Sequence, residues 1–483
     1  MASMDLETII RDLNKRFAAP LPEFYQRRII FWQDEDREFE ERLDEIRLEH
    51  AKLLVLTGSN NFAAKKLLSV DDTTSDYLVY NPVSYDSLED DWLLNIKLYS
   101  ESFRADLVSI WMNEIDLPET LDFRRLVKVY KKFFGAQTRR AAFAKLNKGI
   151  TTASQMHLAV MAAICGTNNT QPNSIIKAVI RGGMDRESNK IYRNLANYGA
   201  EVPFWTLVKQ ATGYFEGEDS SIENLVTHVL LTAMTRTLRT EYLAGLDDFI
   251  STPHQAWCYD FVSEWIAGDK NQELLPMVQH IEEKLFLRKR FKQVPLDDLV
   301  GTEVLPCVNE CILTHLMTEI SNHIVHVDAI INTVEKRRTL AWYEQVECYY
   351  EGILQVAKMQ EFFLEHSTGF HTVEARAVWK EYTEQYYHMD TYYRQYHVAF
   401  GKSLTVGNDH LDDLFKQVTD TVEGLYTHWF LGELGNNWSD ACADELAKYG
   451  RIMEVPQQID FYHQRIKDED NRVFVIISDA LRY

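Results

Sequence analysis

The pattern of apolar and polar positions divides the chain into a short region of alternating strands and helices and a long helical region. Up to residue 117, apolar runs rich in Val, Ile, Leu and aromatic residues are separated by stretches with helical spacing. Strands that alternate with helices indicate a parallel sheet, so we predict a small α/β domain of βαβ type. The predicted strands cover 28–34, 51–57 and 76–81, and the predicted helices cover 5–17, 37–49, 62–68 and 88–115.

An acidic cluster at the end of the first predicted strand makes this small domain similar to signal receivers. The cluster is Asp34-Glu35-Asp36, whereas the third strand ends in Asn81-Pro82 and not in a phosphoacceptor aspartate. Carboxylates beside a helix N-terminus also interact favourably with the helix dipole. We therefore predict a receiver-like fold that does not take part in phosphotransfer.

The remainder of the chain has helical spacing almost throughout. Leu117-Pro118 is a natural boundary, because a residue that precedes proline is disfavoured in a helix. We predict a small α/β domain at 1–117, a helical domain at 118–300 and a second helical domain at 301–468. The second includes a long helix at 303–338 and an aromatic-rich helix at 371–400, whose aromatic positions are typical of core packing.

The last fifteen residues, 469–483, have a different pattern. Val473-Phe-Val-Ile-Ile477 is a continuous apolar run typical of a strand buried on both faces, and Ser478-Asp479 follows it. Ligands of open α/β sheets collect at the carboxyl ends of strands. The carboxy-terminal residues are therefore predicted to be the first strand of an α/β domain whose remainder is missing from this chain.

Composition and charge limit the classes of protein that the chain can represent. With 51 basic and 73 acidic residues the net charge is −22, which argues against a general nucleic-acid-binding surface and favours partners with basic surfaces. The six cysteines include no CxxC pair, and the first fifteen residues lack the apolar core of a signal peptide. No apolar run approaches the length of a membrane-spanning helix, so we predict a cytoplasmic protein without a membrane partner.

One segment, 123–148, has nine basic residues and no acidic residue. Its charges can belong to a solvated helix face that packs against acidic neighbours of the same chain, or to a docking site for a phosphate backbone or an acidic partner. A shorter basic segment of the same kind lies at 284–292. The nine candidate binding residues are Arg124, Arg125, Lys128, Lys131, Lys132, Arg139, Arg140, Lys145 and Lys148.

A second candidate site is a stripe of Cys, His and Glu in the predicted helix 303–338. Four-residue steps place such side chains along one face of a helix, where His and Glu can chelate a metal in a bundle. One helix rarely supplies a complete coordination sphere, so a polar seam between packed helices is the alternative. The stripe consists of Cys307, Cys311, His315, Glu319 and His323, followed by His326.

The terminal run, Val473-Phe-Val-Ile-Ile-Ser-Asp-Ala-Leu-Arg-Tyr483, resembles the opening of the PglZ domain, a member of the alkaline phosphatase superfamily. The preceding helical region, with Lys131-Lys-Phe-Phe-Gly135 and the aromatic segment 378–400, is similar to the amino-terminal half of type A PglZ proteins. Those proteins belong to BREX phage-defence systems. The resemblance implies that the phosphatase-like domain is cut off here after its first motif.

The resemblance also implies roles for a metal and for partners. The aspartate after the first strand binds a divalent metal, usually zinc, in this superfamily, and it corresponds to Asp479. The other ligands and the nucleophile of the complete protein would lie beyond this chain, so we expect no catalytic residue, no cofactor and no enzyme activity here. The expected partners are other BREX proteins, namely a small BrxB-like protein and the BREX methyltransferase, with DNA reached only through the complex.

Three hypotheses remain open at this point. In the first, the chain is a scaffold that docks other BREX components. In the second, it is itself a metal-dependent phosphatase or nuclease that combines Asp479 with the stripe at 307–326. In the third, it is a nucleic-acid-binding module that uses the basic segment 123–148.

Overall fold

The structure of the protein is a computed structural model that describes residues 2–476 except Phe24, Asp36, Asp86, 104–106, Glu119, 269–270, Glu454 and Pro456. The described residues form two compact units. The first unit comprises Met1–Ala211 and Phe215–Glu223, and the second comprises Thr212–Tyr214 and Asn224–Tyr483.

The first unit contains the β-sheet and the helices of the first half of the chain. Its strands are β1 (Ile29–Gln33), β2 (Lys52–Val55), β3 (Tyr77–Asn81) and β4 (Glu101–Phe103). Its helices are α1 (Ala2–Ala18), α2 (Asn61–Lys66), α3 (Leu94–Lys97), α4 (Leu107–Glu114), α5 (Leu121–Val129), α6 (Lys131–Phe134), α7 (Gln137–Leu146), α8 (Ala153–Cys165), α9 (Pro172–Arg181), α10 (Lys190–Asn197) and α11 (Glu201–Thr212).

The elements of the second unit are helical in the part of the chain that the structure describes. They are α12 (Ile222–Met234), α13 (Gln255–Ala267), α14 (Asn271–Lys284), α15 (Leu287–Phe291), α16 (Leu296–Leu299), α17 (Cys307–Ser321), α18 (Val327–Arg337), α19 (Glu347–Glu365), α20 (Ala375–Glu381), α21 (Tyr387–Val406), α22 (Asp412–Glu423), α23 (Leu431–Tyr449) and α24 (Phe461–Arg465).

The sheet of the first unit is parallel, as the alternating pattern predicts. β1 pairs in parallel with β3 on one side and with β4 on the other, and β2 pairs with β3. Alternate side chains of each strand face opposite layers. Trp32 of β1 lies in one core with Leu13 of α1, whereas Phe31 lies in the other core with Leu68 and Ile96.

The receiver-like part of the fold prediction is wrong in its topology. The strand order is β2-β3-β1-β4, whereas receiver-type sheets place the first strand between the second and the third. β3 lies between β1 and β2 in the sheet, because it is buried along its whole length and pairs with both of them. An alternating pattern predicts parallel strands, but it does not fix their neighbours.

Two predicted helices of the first unit are replaced by other structure. Within 37–49 the chain forms a short 3₁₀ helix at Glu40–Glu45, because the Asp34 side chain accepts the backbone N–H groups of Glu38 and Phe39 and fixes a tight turn. Within 88–115 the chain contains α3, β4 and α4 in place of one helix. The guanidinium of Arg28 binds Glu101 at 2.8 Å and holds β4 at the sheet edge.

The second unit is organised around α19, which is buried along most of its length. It packs against α18 and α21, and a side chain at Gly352 would collide with the Phe415 ring, 2.3 Å from an added Cβ. The predicted aromatic helix is present as α20 and α21 with a π-helical turn, Tyr382–Tyr386, between them. Tyr386 and Tyr396 are buried, so the aromatic positions contribute to the core as predicted.

The predicted long helix at 303–338 is interrupted. α17 ends at Ser321 and α18 begins at Val327, and His323 between them has a left-handed backbone with φ of 62°. Arg337 of α18 is completely buried and donates to the carbonyl oxygens of Val300 and Thr302. Its Nε also donates to Asn309 Oδ1 at 2.8 Å, which holds α18 against the first turn of α17, an arrangement that one straight helix could not reach.

The carboxy-terminal strand stays a prediction. Val473, Phe474, Val475 and Ile476 have no regular secondary structure and are exposed, and Asp479 lies outside the described residues. The observed division between the two units falls inside the range 118–300, and the predicted four-domain division is likewise untested. Among the described helices, none combines the length and apolar character that a bilayer-crossing segment requires.

Candidate functional site

The predicted basic segment forms three short helices, α5, α6 and α7, in the first unit. Apolar side chains of these helices, including Phe123, Phe133, Phe134 and Phe143, are buried and fix the orientation of each helix. The nine basic residues consequently differ in exposure. Arg140 is only 6% exposed, Arg124 and Arg139 are partly buried, and the other six side chains are exposed.

Arg140 and Arg139 form hydrogen bonds that stabilise the basic segment itself. Arg140 Nε donates to Glu114 Oε2 at 2.7 Å, and its second nitrogen donates to the Phe134 carbonyl at 2.6 Å. Arg139 donates to the carbonyls of Lys132 and Phe133, each at 2.7 Å, and lies over the Tyr198 ring. Both guanidinium groups thus satisfy carbonyls of α6, which a helix end leaves without an intrahelical partner.

Two further cations of the segment have partners inside the unit. Lys131 Nζ binds Glu38 Oε1 at 2.7 Å, and Arg124 donates to the Ser109 hydroxyl at 2.7 Å. These contacts match the interpretation in which the segment packs against neighbours of the same chain. They account for only part of its positive charge.

Four cations remain exposed and form no ion pair with any carboxylate in the part of the chain that the structure describes. Their charges are directed to solvent in a protein whose net charge is −22. We call these residues the exposed basic group. They are Arg125, Lys132, Lys145 and Lys148.

The carboxyl edge of the sheet is the place where an open parallel sheet binds ligands. In this protein, side chains at that edge form hydrogen bonds with one another and with the backbone. The buried Asp34 carboxylate accepts the Tyr80 hydroxyl at 2.5 Å in addition to its two backbone donors, and burial together with Asp34 raises the pKa of Tyr80. Asn81 donates to Gln33, and Gln33 donates to the Val83 carbonyl. The side chains of Gln33, Asp34, Tyr80 and Asn81 are therefore already paired with one another or with the backbone.

The Cys, His and Glu stripe does not come together as a metal centre. Cys307 and Cys311 are buried, and burial raises the pKa of Cys311 to about 12, which keeps this thiol protonated. His315 is exposed and lies 3.6 Å from Glu319, and His323 contacts the Thr421 hydroxyl beyond the end of α17. The break between α17 and α18 therefore separates side chains that the four-residue spacing aligns.

A divalent metal is implied by the resemblance to the alkaline phosphatase superfamily. Asp479, the residue assigned to it, lies outside the described residues. Within the described residues, no group of three or more His, Cys, Asp and Glu side chains is arranged to hold a metal ion. The fit of a metal to this chain therefore has no structural support, and no chemical step is derived through it.

An apolar groove that the sequence did not predict lies in the second unit between α20 and α23. Its volume is about 320 Å³, and its lining includes Trp379, Tyr382, Leu434 and Trp438. Trp379 and Leu431 are among the exposed large apolar side chains. Spacing along one helix could not reveal the groove, because its walls come from helices that are about fifty residues apart in the chain.

The chain is similar to curated proteins described as alkaline phosphatase-like. It is 30% identical over 487 residues to "Alkaline phosphatase-like protein PglZ" of Bacillus cereus, across 99% of the chain and 56% of that protein. It is 27% identical over 491 residues to "Alkaline phosphatase-like protein BrxZ" of Escherichia coli, across 97% of the chain and 56% of that protein. No protein-family model and no solved structure matches.

These similarities confirm the resemblance to PglZ-type alkaline phosphatase-like proteins that was inferred from the residues. It spans little more than half the length of these two relatives. Their whole-protein activity therefore does not transfer to this chain by alignment alone.

Proposed function

We propose that this chain is the partner-docking region of a PglZ-like protein of a BREX phage-defence system. The observation that carries the proposal is the alignment: nearly all of the chain matches 56% of each relative. In this proposal the chain corresponds to the amino-terminal half of the complete protein. The metal-dependent phosphohydrolase chemistry, with a zinc-like divalent ion, belongs to the remaining part.

The proposed docking surface is the exposed basic group of α5–α7. Arg125, Lys132 and Lys145 are exposed on short helices that a buried aromatic core holds in place, and Lys148 is exposed just after α7. The buried or internally bonded Arg139 and Arg140 are excluded, since their guanidinium groups already bind carbonyls and Glu114. An acidic surface on the partner would complement this group, and charge complementarity chiefly raises the association rate and selects the partner.

Co-purification tests the proposal. The chain is co-expressed with the small BrxB-like protein and the methyltransferase of its own defence system, and the complex is isolated through a tag on the chain. We expect retention of the BrxB-like protein by the native chain. We expect its loss when Arg125, Lys132, Lys145 and Lys148 are all replaced by Glu.

A control in another basic segment separates this surface from a general effect of reversed charge. Lys289→Glu with Lys292→Glu changes two exposed cations of the second basic segment and is expected to leave retention in place. Absence of any partner on the native chain would refute docking. Equal loss of the BrxB-like protein by both variants would refute docking through the exposed basic group.

Nucleic-acid binding is the second candidate, because the same four unpaired cations could bind a phosphate backbone. If they do, DNA retention by the chain alone should fall steeply with salt, with a slope set by the number of phosphates neutralised. The quadruple Glu variant should then lose DNA at low salt. Unchanged DNA retention in that variant would eliminate this candidate.

A further inference from the structure

The apolar groove between α20 and α23 has no role in the function proposed above. Its described lining consists of apolar and aromatic side chains together with Gly435, and none of these residues carries a charge. The hydroxyl of Tyr382, which belongs to this lining, already donates to Asp390. Trp379 and Leu431, on opposite walls, are 38% and 45% exposed, so water contacts apolar surface that covering would stabilise.

The face of α23 that lines the groove continues beyond it. Leu431, Leu434 and Trp438 follow one another at steps of three and four residues, which places them on one helix face. Cys442, one turn further on, is buried, whereas Leu446 and Tyr449 after it are 48% and 51% exposed. Exposed apolar surface therefore resumes on the same face towards the end of α23.

Exposed apolar side chains are concentrated in this part of the protein. Among the described residues, thirty large apolar side chains are exposed, and eleven of them lie within 431–476, a stretch of 46 among 483 residues. At the other end of the chain, α1 buries its apolar face in the core of its own unit, with Leu6, Ile9, Leu13 and Phe17 all buried. The described apolar surface that lacks a cover thus lies mainly in the carboxy-terminal part of the second unit.

Three occupants fit the apolar groove poorly. A small ligand is normally oriented by a few polar groups, and the described lining offers almost none. A separate basic partner would need carboxylates in the groove, and no described carboxylate lines it. A second copy would bring a further net charge of −22 against the first.

A surface of the same polypeptide needs neither charged nor orienting polar groups, because a covalent connection gives it a high effective concentration. The relatives contain enough additional chain to provide such a surface. This chain matches 56% of each of the two, which leaves 44% of each outside the alignment.

We propose that the apolar groove, with the exposed face of α23 beyond it, binds the phosphatase-like part of the same complete protein. The contact is apolar and holds that part against the second unit. The inference rests on the proposed function in one respect, namely that this chain is the amino-terminal half of the complete protein. It does not involve the exposed basic group.

Hydroxyl-radical footprinting tests this inference, because the oxidation of a tryptophan, measured by mass spectrometry, reports the exposure of its side chain. The chain alone is compared with the complete protein, in which the phosphatase-like part follows residue 483. We expect oxidation of Trp379 to fall at least about fourfold in the complete protein, as a side chain that is 38% exposed enters a fully buried interface core. Trp92, which is 55% exposed in the first unit, is the matched control, and its oxidation should not change.

Leu431→Glu places a charge in the groove and gives a second readout. Because Leu431 is 45% exposed in this chain, the thermal midpoint of the chain alone should change by less than about 2 °C. In the complete protein, the variant should restore the oxidation of Trp379 to its level in the chain alone. Leu404→Glu makes the same change at a position of α21 that is 67% exposed, and it should leave the oxidation of Trp379 low.

Equal oxidation of Trp379 in the chain and in the complete protein would overturn the inference. A fall in oxidation when the chain alone is concentrated would overturn it in favour of a second copy, and a fall only after addition of the BrxB-like protein would overturn it in favour of a separate partner. A lower midpoint of the chain with Leu431→Glu would also overturn it, by showing that the groove belongs to the core of this unit. Failure of the co-purification test would refute docking through the exposed basic group and would leave the footprinting result unaffected.

Discussion

The two basic segments of the chain look alike in sequence and differ in the folded protein. In the first, 123–148, four cations remain exposed without a carboxylate partner among the described residues. In the second, 284–292, Arg288 is paired with Glu310, and Arg290 donates to the Ala244 carbonyl at 2.7 Å. The exposed carboxylate of Glu283 lines the same pocket as Lys289 and Lys292 of this segment.

The difference shows that a run of like charges predicts a site only when tertiary neighbours leave the charges uncompensated. Glu310, on α17, offsets Arg288 from more than twenty residues away. Of the carboxylates beside the first segment, Glu38 binds Lys131 and Glu114 binds Arg140. We therefore expect changes in the second segment to affect stability and its pH dependence, and changes at the exposed basic group to affect binding.

The largest expected effect concerns Glu282 beside the second segment. Burial raises the pKa of this carboxyl from 4.5 to about 7. Two effects act in the opposite direction and lower the pKa: the hydrogen bond from the backbone N–H of Cys307 at 2.8 Å, and the positive charge of Arg288. The folded protein therefore keeps the proton while the unfolded chain releases it. The contribution of Glu282 to the free energy of unfolding is therefore fully present below pH 4.5, and it is lost as the pH rises to about 7.

The size of that loss is about 3 kcal/mol, from 1.36 kcal/mol per pKa unit. Glu282→Gln should abolish it, so that the difference in unfolding free energy between the variant and the native chain grows from pH 5 to pH 8. Urea unfolding at four pH values measures this difference. The control is Glu283→Gln at the exposed neighbour, and a flat difference for Glu282→Gln would show that the carboxyl is not buried as described.

Arg140→Met should have the next largest effect on the free energy of unfolding. It tests the difference between the buried and the exposed cations of the first segment. The change leaves the Phe134 carbonyl without its donor, and Glu114 keeps access to water because it is 37% exposed. We expect a loss of about 2 kcal/mol in unfolding free energy, the cost of one unsatisfied buried group. Lys145→Met, an exposed cation of the same helix, should change stability by less than about 0.5 kcal/mol. Similar losses for both would remove the distinction between structural and exposed cations.

Arg139→Met should have a smaller effect. It removes two hydrogen bonds to carbonyls of α6 and a contact with the Tyr198 ring, all on a partly buried side chain. We expect a loss of about 1 kcal/mol, measured by thermal unfolding of the chain. An effect as large as that of Arg140→Met would mean that the two arginines do not differ in role.

Several elements could be predicted because their signals are local. β1, β2 and β3 are short apolar runs, and α1 has Ile9, Leu13 and Phe17 on one face, all of which are buried. β4 was missed because its three residues have no strand pattern of their own and are held by pairing with β1. The helix break at His323 was missed because neither Gly nor Pro marks it.

The candidate sites, like the helices and strands, could be predicted only where their signals are local in the sequence. The exposed basic group could be predicted as part of a charge run, although the sequence could not separate it from Arg139 and Arg140. The apolar groove could not be predicted, because it is built from helices distant in the chain.

The most direct test of docking is an equilibrium titration of the purified BrxB-like protein against three forms of the chain. The forms are the native chain, the quadruple Glu variant of the exposed basic group, and the double variant Lys289→Glu with Lys292→Glu. We predict that the quadruple variant loses at least about 2 kcal/mol of binding free energy, by analogy with charge pairs in protein complexes, and that the double variant binds like the native chain. Equal affinity of all three forms would contradict docking through the exposed basic group.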